Sequence, residues 1–369
     1  MVNKKIIKPK FKNTIPYYVM PEGIYLGEDE YNSVLVENED SKIEYLFSLF
    51  TGEYSIDQII DKCQNKYNEN MKNDIINIIE TLSESGYLEN EYEINNDLDE
   101  YLKERYKANL NYFSLFLDIY GNKYNLQKKI NDTPITLLGV GGLGSQILYH
   151  LASLGFHNIT ILDYDTLELS NFNRQLLYSE ENIGDLKTSL AEKRILKYNP
   201  NINLKVINKK IESYKDVEDA IGDSKYVICV ADKPTLFIQE WVNEAVVNKK
   251  VPLVTGGILN KRGRFITTIP GEGCLECHKL TLFENDNNIN NQLEQLHKND
   301  YQRNNAAISS NVAILAGILV NEFLDVIIGI HSPIAYNKIM EFDFTSYQIK
   351  QLSHWERKNR CKVCGKDED

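Results

Sequence analysis

A short apolar run, Ile135-Thr136-Leu137-Leu138, meets the glycine-rich segment Gly139-Val140-Gly141-Gly142-Leu143-Gly144, and apolar residues at helical spacing follow. A G-x-G-x-x-G match alone says little. A strand before it and a helix after it make it a turn whose backbone N–H groups can approach a phosphate at the positive end of a helix dipole. About twenty residues later Asp163 closes the next apolar run, where a carboxylate can accept hydrogen bonds from ribose hydroxyls. A turn demanded only by tight packing of helix on strand would share the glycines without needing the acid. Strand, glycines and acid together predict a nucleotide site that includes Gly139, Gly141, Gly142, Gly144 and Asp163.

The same alternation continues. Strands are expected over 135–138, 159–162, 204–207 and 226–230, with helices over 146–153, near 187–197 and near 217–221. This predicts an α/β fold, a Rossmann-like, mainly parallel sheet with covering helices. Ahead of it, residues 17–36 read as a hairpin, and helical spacing starts at Ser41 and again after Ser55 and Met71. These pieces predict a small winged-helix-like α+β domain over 1–95. The acidic, Asn-rich stretch 89–100 reads as a hinge. A linker and one connecting helix, over 102–120, occupy 96–131, and the large domain is expected over 132–369. Residues 283–305, dominated by Asn, Gln, Asp and Glu, are a lid candidate.

Two fixed cations, Arg174 and Lys187, follow the second strand of the large domain. Hydride transfer has no need of them, whereas nucleotidyl transfer spreads negative charge over the α-phosphate and the leaving pyrophosphate. Asp232, just past the strand at 226–230, is placed to hold a Mg²⁺ on the same oxygens. Each residue has a plainer reading, a solvated helix face for the cations and an N-cap for the acid; the joint occurrence favours ATP chemistry. Cys274-Leu275-Glu276-Cys277 and Cys361-Lys362-Val363-Cys364 are two C-x-x-C knuckles able to present four thiolates to one tetrahedral ion. A structural Zn²⁺ at Cys274, Cys277, Cys361 and Cys364 is expected, with the adjacent His278 a bystander.

Residues 134–365 resemble the ThiF/MoeB-type adenylating enzymes, relatives of ubiquitin-activating enzymes. The matching pieces are the glycine-rich loop, Leu162-Asp163-Tyr164-Asp165, Ser170-Asn171-Phe172-Asn173-Arg174-Gln175, Gly184-Asp185-Leu186-Lys187, Val251-Pro252-Leu253-Val254-Thr255-Gly256 and the two Cys pairs. The resemblance implies that Asp163 binds ribose, that Arg174 and Lys187 bind phosphates, and that Asp232 binds Mg²⁺, with Asp165, Asn171 and Gln175 lining the same pocket. It also implies a homodimer. Three departures stand out. Residues 283–305 contain no Cys where thioester-forming members place their acceptor; Ala108 stands where a second Arg reaching the partner's ATP is usual, with Arg105 and Lys107 nearby; and Lys233 replaces an Asn after Asp232. Cys63 and Cys229 read as core thiols.

The N-terminal domain resembles the peptide-clamp domain of ribosomal-peptide-modifying enzymes, which binds a leader as an added β-strand. The combination resembles the microcin C-type peptide-adenylating enzymes. It implies ATP-dependent adenylation of the C-terminus of a small precursor peptide in antibiotic biosynthesis, ending in a nucleotide-modified peptide. Two alternatives are an adenylyltransferase for a sulfur-carrier protein and a non-catalytic leader-binding partner of a cyclodehydratase. The four charged site residues favour an enzyme. A formal charge of -12 opposes nucleic acid as main partner. The most apolar stretch, 311–330, contains Asn321, Glu322 and Asp325 and reads as a buried helix, and residues 1–12 lack a signal-peptide core. A cytoplasmic location without membrane contact is expected.

Overall fold

The structure, a computed structural model, describes residues 7–27, 33–38, 41–91, 98–235, 237–285, 295 and 306–365. Most of the lid candidate and half of the hinge lie outside the described residues. The chain forms two compact units, Met1–Lys129 and Ile130–Asp369.

In the first unit, β1 (Pro9–Phe11) pairs with β5 (Leu88–Asn90), and β2 (Tyr17–Met20), β3 (Gly23–Leu26) and β4 (Val34–Val36) form an antiparallel sheet with β3 central. Helices α1 (Lys42–Ser48), α2 (Ile56–Tyr67) and α3 (Lys72–Glu84) stand between the sheets in sequence. Ser55 starts α2 through a capping box: its Oγ accepts the Gln58 N–H, and Gln58 Oε1 accepts the Ser55 N–H at 2.9 Å. The apolar stripe Ile75, Ile79 and Leu82 of α3 is buried together with Ile24, Leu26, Phe47 and Ile59. Where one helix is expected over 102–120, two short ones form, α4 (Glu100–Arg105) and α5 (Lys107–Ser114). They break at Tyr106, which leaves helical geometry at φ -106° and is 1% exposed. A further helix, α6 (Lys123–Asp132), carries the chain into the second unit.

Among the described residues the second unit is built on one eight-stranded sheet. Its strands are β6 (Pro134–Leu138), β7 (Asn158–Asp163), β8 (Asn203–Asn208), β9 (Tyr226–Cys229), β10 (Leu253–Leu259), β11 (Arg262–Thr268), β12 (Lys338–Asp343) and β13 (Gln348–His354), in the order β13-β12-β11-β10-β9-β6-β7-β8. From β10 through β8 the pairs are parallel; β10 to β13 pair antiparallel. The near-continuous apolar runs of β6 and β7 suit strands covered on both faces. Helices α7 (Gly142–Leu154), α8 (Lys187–Tyr198), α9 (Tyr214–Ile221), α10 (Ile238–Lys249), α11 (Leu275–Asn285) and α12 (Ser309–Ile328) complete it. The α12 helix is long and apolar enough to cross a membrane by length and composition. Here it packs on α7, β10 and β11, and its buried Glu322 accepts hydrogen bonds from Thr267 Oγ1 and from the Ala335 N–H, both at 2.8 Å.

Lys12, 1% exposed, donates from Nζ to the Leu117 carbonyl at 2.7 Å, and nearby Lys123 pairs with the buried Glu89. Burial holds the Lys12 ammonium down, to a pKa of about 8 against 10.5, outweighing the opposing pull of Glu89 and Asp118. Between those values the folded chain has released a proton that the unfolded chain still binds, so stability rises with pH through this window. Urea unfolding at pH values on either side of it is expected to show a gain on the order of 1–3 kcal/mol, and Lys12→Met to abolish that gain.

Candidate functional site

The sheet reverses direction of build at β6, with β7 on one side and β9 on the other, which opens a crevice at the strands' C-terminal ends. A cavity of about 1110 Å³ lies there, larger than a single small-molecule pocket usually is. At its nucleotide end the four glycines divide into two pairs. Gly139 has φ +92°, and a Cβ there would sit 2.9 Å from the Ala231 nitrogen; a Cβ on Gly144 would strike the Gly139 carbonyl. Packing demands glycine at both, and at Gly139 the backbone conformation does so as well. Gly141 and Gly142 line the cavity with ordinary room around them, facing Gln175 and Arg174. The N-cap of α7, Gly141, supplies no side-chain cap to the first turn that begins there, which leaves N–H groups an anion could use.

Asp163 holds this loop from the end of β7. Its Oδ2 accepts the Val140 N–H at 2.8 Å, and its Oδ1 accepts the Tyr164 and Asp165 N–H groups at 2.7 and 2.9 Å. Tyr178, which sequence reasoning missed, donates its buried hydroxyl to the Val140 carbonyl at 2.7 Å, and burial pushes its phenol well up. Only its place four residues after Arg174 hinted at it. Lys187 opens α8 and is almost enclosed, its Nζ 3.0 Å from Asp165 Oδ2. A short antiparallel bridge between Thr166 and Leu186 sets that position. Arg174 lies against Gly142 and spends Nη1 on the Ser170 carbonyl and Asn173 Oδ1. Asn171 uses Oδ1 to accept the Glu168 N–H, closing its own turn.

Two polar groups are left over. Gln175 is 2% exposed, and its Oε1 is buried with no hydrogen-bond partner, a group suited to a ligand's N–H or O–H. Asp232 lines the cavity with no partner among the described residues. An uncapped helix, an orphaned amide oxygen, two placed cations and a free carboxylate fit a nucleoside triphosphate with its divalent cation.

The cysteines converge elsewhere in this unit. The Sγ atoms of Cys274, Cys277, Cys361 and Cys364 all lie within 4.8 Å of one another, with Cys274 and Cys361 at 3.6 Å. Asn243 Nδ2 and the Lys358 N–H donate to Cys274 and Cys277, the donors a thiolate needs. This set could hold one tetrahedral ion, and four sulfurs suit Zn²⁺. His278 turns away, against the Trp355 ring and Ser353 Oγ, and burial lowers its pKa to about 4. Cys63 and Cys229 are buried; burial raises the Cys229 thiol to about 12, so neither is a ready nucleophile. Metal analysis of the purified protein is expected to find one Zn²⁺ per chain, and Cys361→Ser to lose the metal together with several kcal/mol of stability in thermal unfolding.

A family model described as the ThiF family matches residues 112–363. The molybdopterin-synthase adenylyltransferase of Escherichia coli (strain K12) is 26% identical over 247 residues, 66% of this chain and 92% of that protein. The sulfur carrier protein ThiS adenylyltransferase of the same organism is 25% identical over 241 residues, 65% of this chain and 88% of that protein. Solved structures of E. coli MccB are similar over nearly the whole chain. One, with AMPCPP and selenomethionine MccA, has a TM-score of 0.76 and 23% identity, covering 97% of this chain and 99% of that one. Another is described as the microcin C7 biosynthetic enzyme MccB in complex with N-formylated MccA. At that identity the MccB likeness shows the fold, whereas the family match spans more than half of the sequence: the chain belongs to the ThiF family and is an adenylyltransferase of the ThiF/MoeB type.

Proposed function

We propose that the protein binds ATP with Mg²⁺ and adenylates the C-terminus of a small ribosomally made peptide, releasing pyrophosphate. The observation that carries this reading is a cavity with cations and a free carboxylate at its nucleotide end and no reactive thiol among its lining residues. A carboxylate oxygen of the peptide attacks the α-phosphorus; one P–O bond forms, the bridging bond to the β-phosphate breaks, and pyrophosphate leaves with the electron pair. Positioning and charge neutralisation suffice for that step. In this reading the Gly141–Gly142 turn and the N-terminus of α7 receive phosphate oxygens, Asp163 the ribose, and Arg174 and Lys187 the developing charge. A Mg²⁺ held by Asp232 would neutralise the departing pyrophosphate. The protein would act as a homodimer, with Arg105 or Lys107 serving where Ala108 leaves no cation.

The first unit supports a peptide substrate. The family model begins at residue 112, while the likeness to MccB, solved with the peptide MccA, takes in 97% of the chain. The edge strands β2 and β4 expose Tyr18, Val19, Met20, Val34 and Leu35, an apolar edge that suits strand addition by a leader. A microcin-type, nucleotide-modified peptide is the product this reading gives. A second reading, activation of a sulfur-carrier protein, is favoured by the names of the curated relatives and opposed by the missing Cys in residues 283–305.

Purified protein with Mg²⁺ and ATP, CTP or GTP, offered short peptides encoded beside the gene and separately a Gly-Gly carrier, is expected to release pyrophosphate with ATP and a peptide. The peptide should gain the mass of a nucleoside monophosphate less one water. Turnover with the carrier alone would replace this reading with the second. Lys187→Ala and Asp232→Ala are each expected to lower kcat by about 10²- to 10³-fold; full turnover by the Asp232 variant would remove the Mg²⁺ assignment.

A further inference from the structure

The end of the cavity remote from the glycine-rich loop is lined by β10, β11 and α11, and its cations are not equivalent. Lys279 is matched by Glu240 at 2.9 Å. Arg264 is not matched in the same way: only its Nε is used, donating to Glu341 Oε2 at 2.8 Å. Both Nη groups have no partner among the described residues, and the side chain is 42% exposed. Glu341, 1% exposed, also lies 3.5 Å from Arg262 Nε and 3.4 Å from Lys350 Nζ. Arg262 also reaches Asp343 Oδ2 at 4.0 Å, so three cations share two carboxylates and one positive charge is left over, on a chain of net charge -12.

The sheet register places these groups in one row. Gly257 pairs with Arg264, Arg264 with Glu341, and Glu341 with Lys350, so all four share one sheet face. Gly257 has no positive φ, and a Cβ there would meet nothing within 4 Å. Neither backbone nor packing demands glycine at this mid-strand position, which fits close approach by a ligand. Beyond the Thr255–Cys229 pair, β10 runs on to Leu259 with β11 on one side and, among the described residues, no strand on the other. An extended chain has both an open lane beside Gly257 and a strand edge to follow.

We propose that Arg264 is the specificity residue of this end of the cavity. Held by Glu341 so that its free fork faces the lumen, it takes the carboxylate of an Asp or Glu side chain in the substrate segment just upstream of the activated C-terminus. A planar fork with its Nε already fixed presents two parallel N–H groups to a carboxylate, which a lysine does not. The inference rests on the adenylation reading for the direction of the bound chain, but not for the charge preference itself.

Fluorescent hexapeptide pools, identical except for Asp, Asn or Lys at one upstream position, test it by anisotropy in the presence of a non-hydrolysable ATP analogue. The native protein is expected to bind the Asp pool about tenfold tighter than the Asn pool and to reject the Lys pool. Arg264→Gln should erase that preference with the ATP affinity unchanged, and Arg264→Lys should reduce it. Lys350→Gln, which touches the same Glu341 but does not line the cavity, should retain it. No preference in the native protein, the same preference after Arg264→Gln, or equal loss from the Lys350 variant overturns the proposal. Pyrophosphate exchange run in parallel separates the two ideas: a charge preference without turnover of any peptide removes the adenylation reading and leaves Arg264 in place.

Discussion

Three backbone N–H groups converge on the carboxylate of Asp163, and the nucleotide end of the cavity depends on that convergence. One comes from the loop after β6 and two from the residues just past β7, so a single side chain joins the strand at which the sheet reverses to its neighbour. Tyr178 holds the other backbone group of the same residue, the Val140 carbonyl. With Val140 held through both its N–H and its carbonyl, Gly141 and Gly142 line the cavity, Gly144 lets α7 close on the Gly139 carbonyl, and Gly139 clears Ala231 just past β9. Close packing therefore accounts for Gly139 and Gly144, and leaves Gly141 and Gly142 without a packing reason.

Charge in the cavity is arranged by pairs that leave something over. Asp165 restrains Lys187, a lysine almost fully enclosed, and burial of an ammonium is tolerable only with such a partner. Glu341 does the same for Arg264 but engages one nitrogen of its guanidinium. Asp232 and the Gln175 amide oxygen have no partner among the described residues. Internal pairs fix geometry, and the unsatisfied remainder is where a ligand gains most. The cysteine cluster follows a different logic: two knuckles far apart in sequence meet under Trp355 and join the C-terminal segment to α11.

Much of this was legible beforehand where the signal is local. The strand, glycine turn, helix and acid lie within about thirty residues, and each imposes its own backbone geometry, so β6, α7 and β7 fall where the pattern puts them. The capping box at Ser55 and the Ile stripe of α3 are likewise local. The division of the 102–120 segment into α4 and α5 was not legible, because helical spacing persists through the buried Tyr106, where the backbone leaves helical geometry without a Gly or Pro to mark it. Asn171 lines the cavity as its place in the pattern suggests, but that its oxygen also closes a turn was not legible.

What the sequence determined by itself is the family and the residue types that go with it: a glycine-rich turn between strand and helix, two cations and an acid after it, four thiols spaced for one ion, and no cysteine in residues 283–305. These are statements about residue types at short spacing, and short spacing is governed by backbone geometry. Tertiary structure alone decided which of those groups are spent on one another and which remain free. Arg264, Glu341 and Lys350 become neighbours only through the register of β11, β12 and β13, and Lys12 is enclosed only once β1 pairs with β5 and the chain near Leu117 closes over it. Long-range register and burial depend on the packing of the whole unit, which no local pattern encodes.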